Sequence, residues 1–201
     1  EKIQPAATHE EVEAVLAQIN RAMPIGRRDY AMILLGARLG LRADDIVRMK
    51  LEDVDLQAGH IKILQQKTKK VLLLPLPSDA GNALKEYIMY VRPKSDFTQV
   101  FLRAQAPFQP LKGGSAVGYT YAKYQKKAGI ERQPFDGKGF HSLRRMMGKE
   151  LTIAGVPVTT TAQILGHSNL DTVKQYIALD TMHLKECALD FQGIELTGGV
   201  F

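Results

Sequence analysis

The chain has 201 residues, 45% hydrophobic and 24% charged, which is enough apolar content for one domain with a buried core. It carries 27 Lys and Arg against 21 Asp and Glu, a net charge of +6 that favours a polyanionic partner such as nucleic acid. A single cysteine, Cys187, excludes an internal disulfide, and no apolar run approaches the ~20 residues that span a bilayer, so a reducing cytosol and no membrane segment are expected.

Residues 1–7 read as a linker. Thr8 opens a helix, and Glu11 completes a Thr-x-x-Glu capping box, in which each side chain satisfies the other residue's backbone amide. Val12, Val15, Leu16 and Ile19 form one buried stripe, and Pro24 and Gly26 close the helix. A second helix, about 28–38, is apolar nearly all round and therefore central. Gly40 breaks it. Asp44 and Asp45 suit the first turn of a short helix ending near Met49. Arg42 thus falls at a junction between buried helices. It reads either as a surface arginine at a turn or as a pocket-rim arginine whose fork is aimed by Asp45.

From Val54 the hydrophobic period becomes two. Val54 and Leu56, then Ile61 and Ile63, then Val71–Leu74 predict a three-stranded antiparallel meander. Its second turn, Gln66-Lys67-Thr68-Lys69-Lys70, is lysine-rich. That turn is either a solvated tip or a flexible arm that lays an ammonium group on a phosphate or a leaving oxygen. Ser78-Asp79 caps a helix to about Val91, with Ala80, Leu84, Tyr87, Ile88 and Val91 as its stripe. Residues 92–114 are loop-rich around Val100-Phe101-Leu102. Ser115 opens a helix to about Lys127. Its Tyr119, Tyr121 and Tyr124, with Lys123, Lys126 and Lys127, suit either a DNA-facing surface or a partly exposed amphipathic helix.

A core helix covers about 140–154, stopped by Gly155 and Pro157, with Leu143, Met147 and Ala154 on its buried side. His141 and Arg144 are three apart and share another face, and Gly148 leaves room one turn on. Thr159–Leu165 reads as a short helix ended by Gly166. Residues 170–179 form another, carrying Tyr176, and Thr181–Asp190 a last one before the tail, 191–201. The expected class is α+β, mainly α-helical with a small three-stranded antiparallel sheet. There is no paired-carboxylate site, no H-E-x-x-H, no Cys/His cluster and no G-x-x-x-x-G-K-[ST] loop, so no metal or other cofactor is expected.

The candidate pocket groups are Arg42, Lys67, His141, Arg144, His167 and Tyr176. Two arginines can clamp the non-bridging oxygens of a phosphate and offset the charge of a pentavalent transition state. A tyrosine hydroxyl, with an ordinary pKa near 10, can attack once its proton is drawn off. A lysine on a mobile turn can protonate the departing 5′ oxygen. The product is a 3′-phosphotyrosyl bond whose energy is kept, so a second DNA end can reverse the step without ATP or metal.

This pattern resembles the tyrosine recombinase (phage integrase) family over about Thr8 to Asp190. The likeness rests on Leu39-Gly-Leu-Arg42-Ala-Asp-Asp45-Ile46, the Lys67-Thr-Lys69 hairpin, His141-Ser-Leu-Arg144, Leu165-Gly-His167-Ser168, and Tyr176 nine residues later. The resemblance implies the family's catalytic-domain fold over residues 8–190. It implies that Arg42 and Arg144 bind the scissile phosphate and that Asp45 buttresses Arg42. Lys67 is then the general acid, His141 assists proton transfer, His167 supports the phosphate and the tyrosine, and Tyr176 is the nucleophile. The implied activity is site-specific cutting and rejoining of double-stranded DNA, in integration and excision of a mobile element or in chromosome dimer resolution.

The implied assembly is a homotetramer on synapsed DNA with exchange of the C-terminal helix, in a bacterial cytoplasm. Three features depart from the family. The hairpin tip reads Lys67-Thr68-Lys69-Lys70 where the family often has a glycine, so Lys69 could be the acid, though Lys67 fits better. Arg145-Met146 replace the usual His-Thr, which bears on packing. The family's N-terminal core-binding domain has no counterpart in these residues, so a longer protein is expected, and this piece alone is expected to be monomeric. A plain helix-turn-helix binder over 158–179 would give Arg42, Lys67 and His141 no role. A type IB topoisomerase and a recombinase-like protein that does not cut are further rivals.

The two lysines are separable. On a substrate whose 5′-bridging oxygen is sulfur, the leaving group needs no proton. Lys67→Ala is expected to recover cleavage on that substrate and Lys69→Ala to show no special recovery; the reverse pattern would assign the acid to Lys69.

Overall fold

A computed structural model describes residues 4–64 and 71–165. Among them the order is α1 (His9–Ala17), α2 (Pro24–Leu39), α3 (Ala43–Arg48), β1 (Val54–Asp55), β2 (His60–Leu64), β3 (Val71–Pro75), α4 (Ser78–Glu86), α5 (Ser115–Lys127), α6 (His141–Ile153) and α7 (Val158–Ile164). The expected class, mainly helical with one small antiparallel sheet, is what the chain forms.

The central element is α2. Eleven of its sixteen residues are buried, including Met32, Ile33, Leu34 and Leu35, and α1, α4, α5 and α6 all pack on it. It begins at Pro24, earlier than expected. Proline at the first helical position gives up no hydrogen bond and its φ is already helical. It ends at Gly40, which is left-handed at φ 60, a conformation glycine adopts without steric cost. α1 shows the expected capping box, with Glu11 N–H donating to Thr8 Oγ1 at 3.2 Å and Thr8 N–H to Glu11 Oε2 at 3.1 Å. It stops at Ala17 instead of at Pro24, because Asn20 Oδ1 accepts from Ala22 N–H at 3.0 Å and turns the chain.

The meander pairs in the order β1-β2-β3, with Val54 opposite Ile61, Ile61 opposite Leu74 and Ile63 opposite Leu72. Ile61, Ile63 and Leu74 face the core, while Leu64, Val71 and Leu73 are exposed, as a period of two requires. The Lys67–Lys70 tip lies outside the described residues. The cap expected at Ser78-Asp79 is Pro77 instead. Asp79 is engaged elsewhere, since its Oδ2 accepts from Arg38 Nε at 2.7 Å and ties α4 to α2. After Glu86 the helix widens into a π turn, Tyr87–Val91. Tyr87 stacks on Phe101 at 5.3 Å, and its hydroxyl accepts from Leu102 N–H, which buries the Val100-Phe101-Leu102 segment.

Two expectations need correction. Of the three tyrosines on α5, only Tyr119 is exposed; Tyr121 and Tyr124 are core residues. Tyr121 meets Phe140 edge-on at 5.8 Å. The amphipathic reading of α5 therefore holds and the aromatic surface does not. Ala154 is exposed, because α6 ends at Ile153 and Ala154 caps it, whereas Leu143 is buried as expected.

The most polar part of the interior is built on Asp29, which is fully buried. It accepts from Arg28 at 2.7 Å, Lys123 at 2.8 Å and Tyr124 at 3.0 Å, and so joins α2 to α5. Arg28 also donates to the Leu102 carbonyl at 3.0 Å. Asp29→Ala leaves the buried Arg28 without its counter-charge and is expected to cost ~3–5 kcal/mol of stability in urea unfolding; a loss below ~1 kcal/mol would show that the pair is solvated.

Candidate functional site

Arg144 stands in the first turn of α6 and is 3% exposed. Its Nη1 donates to the Gly40 carbonyl at 2.7 Å. The α2–α3 turn is therefore fastened to α6 at Gly40. Gly40 needs to be glycine for a second reason besides its φ: a Cβ there would lie 3.0 Å from Leu165 Cδ2 and 3.3 Å from Met147 Cβ. Leu165, the last described residue, is fully buried against this turn.

Two residues beyond Gly40, Arg42 is the N-cap of α3, and its carbonyl accepts from Ile46 N–H at 3.1 Å. The helix start fixes its backbone, while its side chain is 22% exposed. Nη1 lies 3.9 Å from Asp45 Oδ2, an ion pair beyond hydrogen-bond length, and Asp45 is buried. Arg42 is thus part-buried at the α2–α3 junction, beside Asp45. A cavity of about 580 Å³ lies between α3 and the β2–β3 hairpin, with Asp45, Arg48, Lys62 and Val71 in its wall.

His141 opens α6, one turn before Arg144. Its pKa is pulled down to about 4, first by desolvation and then by the charges of Arg144, Arg145 and Arg42. The residue as a whole is exposed, yet partial desolvation and the three cations act in the same direction, so the imidazole is neutral at neutral pH. A neutral imidazole can both accept and donate a proton. His141, Arg42 and Arg144 are therefore brought within electrostatic reach of one another. Lys67, His167 and Tyr176 lie outside the described residues.

Sequence reasoning missed the Gly40 carbonyl, since a backbone acceptor leaves no sequence signal. It also missed how Arg145 is used. Arg145 is buried, and it donates from Nε to the Pro5 carbonyl at 2.8 Å and from Nη2 to the Gly137 carbonyl. Residues 4–7, read as a linker, are thereby held on the domain, with Ala7 N–H donating to the Ser142 carbonyl at 3.1 Å. Arg145 and Met146 do pack, as their departure from the usual pair suggested. Gly148, expected to leave an open approach, is buried.

Residues 6–183 match the model of the phage integrase family. The chain belongs to the phage integrase family. This family member is similar to two proteins of Sinorhizobium fredii (strain NBRC 101917 / NGR234), each named "Putative integrase/recombinase": y4rA at 35% identity and y4gC at 32%. Each alignment covers 94% of this chain, but 45% of y4rA and 96% of y4gC. The chain thus spans under half the length of y4rA. Its fold is also that of the XerH site-specific recombinase in a post-cleavage complex with palindromic difH substrate. The TM-score is 0.74 at 21% identity, over 93% of this chain and 53% of that one. Among the described residues no helix is long and apolar enough to cross a membrane.

The low pKa of His141 has a consequence for the DNA-free protein. The unfolded histidine titrates near 6.5 and the folded one near 4, so between these values the unfolded chain binds the extra proton. Stability therefore rises with pH across that window and is lost as pH falls through it. Urea midpoints measured from pH ~7 down to ~4.5 are expected to fall more steeply for the wild type than for His141→Gln. Equal slopes would contradict the shift.

Proposed function

We propose that this chain is the catalytic part of a site-specific recombinase that cuts and rejoins double-stranded DNA through a 3′-phosphotyrosyl bond. The observation that carries the reading is the Arg144–Gly40 hydrogen bond, which fastens α6 to the turn bearing Arg42. With His141 shifted by desolvation and then by both arginines, it supports one cationic site built from α3 and α6.

In this reading Arg42 and Arg144 grip the two non-bridging oxygens of one phosphate and take up the charge that grows on them in the pentavalent state. Asp45 holds the Arg42 fork from behind. The Tyr176 oxygen attacks phosphorus. The bond to the 5′ oxygen breaks, and Lys67 gives that oxygen its proton. Neutral His141 assists by accepting the proton that the Tyr176 hydroxyl gives up as it attacks, and His167 braces the phosphate and the tyrosine. One phosphoester replaces another, so the reverse attack by a 5′ hydroxyl of a second end completes strand exchange. Neither ATP nor a metal ion enters this balance. The integrase/recombinase names of y4rA and y4gC support integration of a mobile element, and we read excision and a bacterial cytoplasm with it. The working assembly is a homotetramer on synapsed DNA, linked by exchange of the Thr181–Asp190 segment.

The test is covalent trapping on a pool of nicked suicide duplexes. The wild type is expected to give a denaturant-resistant protein–DNA band, and Tyr176→Phe to give none. Arg42→Ala and Arg144→Ala are expected to slow the band's appearance by about 10³-fold while melting as folded proteins. A band that persists in Tyr176→Phe would assign the nucleophile elsewhere. A wild type that binds but forms no band would favour the helix-turn-helix reading.

A further inference from the structure

We propose that Gly114 and Asp44 are positioning residues for Arg42, setting from the α5 side the turn that Arg144 fixes from the α6 side. The inference rests on the recombinase reading, because it concerns how that site's first arginine is aimed.

The N-terminus of α5 is seated directly on the start of α3. Gly114, the N-cap of α5, donates its backbone N–H to Asp44 Oδ1 at 2.8 Å. Asp44 lies in the first turn of α3, two residues after Arg42. The approach leaves no room for a side chain. A Cβ on Gly114 would lie 2.9 Å from Ala43 Cβ, 2.9 Å from Asp44 N and 3.1 Å from the Ala43 carbonyl carbon. Two of these three atoms are backbone and the third is a methyl group fixed to it, so no rotamer change relieves the contact. The α3 start would have to move, and Arg42 moves with it.

The backbone of Gly114 makes the case sharper. Its φ is −64 and its ψ −17, an ordinary right-handed conformation that alanine adopts freely. Glycine is needed there for space and not for dihedral freedom. This contrasts with Gly113, which has φ 69 and no atom within 4 Å of its would-be Cβ. A gain in unfolded-state order from alanine at 114 would, if anything, favour stability. The cost of Gly114→Ala therefore falls on the placement of α3. That helix has six residues, so it has little stiffness of its own and takes its position from what it packs on.

The experiment uses the DNA recovered by covalent trapping, with the scissile phosphate either normal or replaced by a methylphosphonate. The methylphosphonate carries a methyl group in place of one charged oxygen, so a displaced arginine costs less on it. Gly114→Ala and Asp44→Ala are expected to form covalent product at least ~10-fold more slowly than wild type on the normal phosphate, as sub-ångström misplacement does. The deficit should shrink to within about 3-fold on the methylphosphonate. Asp44→Asn keeps the acceptor for Gly114 N–H and should restore the rate, which separates the hydrogen bond from the charge. Asp44 is exposed, so its variants report even if Gly114→Ala melts early. Wild-type rates in both alanine variants, or deficits equal on the two substrates, would overturn the inference while leaving the recombinase reading intact. No covalent product from the wild type would overturn that reading and this inference together.

Discussion

The account depends on one buried hydrogen bond, from the Arg144 guanidinium to the Gly40 carbonyl. A buried guanidinium is costly unless its donors are engaged. Spending one of them on a backbone carbonyl does two things at once. It holds Arg144 in one orientation, and it holds the left-handed turn from which Arg42 emerges. The covalent shortness of the Gly40–Arg42 segment thereby keeps the Arg42 backbone close to the carbonyl that Arg144 holds. His141 feels both charges: desolvation first, and then Arg144, Arg145 and Arg42, pull its pKa down.

The rest of the fold serves to keep α2 and α6 where this bond needs them. α2 is buried on nearly every side, so its C-terminal turn has little freedom. Gly36, one turn earlier, takes the Phe140 ring so closely that a Cβ there would lie 2.3 Å from Cζ. Phe140 is the N-cap of α6. The close approach thus sets the helix start, and with it His141 and Arg144. On the far side, Asp29 ties α2 to α5, and the N-terminus of α5 abuts α3. The site is an outcome of helix packing, with loops contributing chiefly through glycines that permit contact.

Much of this was legible in the sequence because the signals were local. The Thr8–Glu11 box, the apolar α2 and the period-two strands each follow from neighbours within a turn or a pair of strands. The spacing of His141 and Arg144 placed them on one helical face. What was not legible depended on contacts far apart in the chain. Tyr121 and Tyr124 alternate with lysines and read as surface, yet α5 turns both into the core, where Tyr124 meets an aspartate 95 residues away. The one hint was the charged Arg28-Asp29 pair near the start of the largely apolar α2. Likewise the departure at Arg145 pointed to packing, but not to the Pro5 and Gly137 carbonyls that the guanidinium engages from α6. The Gly40 carbonyl could not be foreseen, since every residue has one.

The central claim is that Arg42 and Arg144 grip the same phosphate, and the most direct measurement is a crystal structure of Tyr176→Phe bound to its trapped DNA site. The account predicts both guanidinium groups within about 3 Å of non-bridging oxygens of the scissile phosphate, with Arg144 still bonded to the Gly40 carbonyl. Arginines that reach different phosphates, or an Arg144 that has released Gly40 to reach DNA, would contradict it.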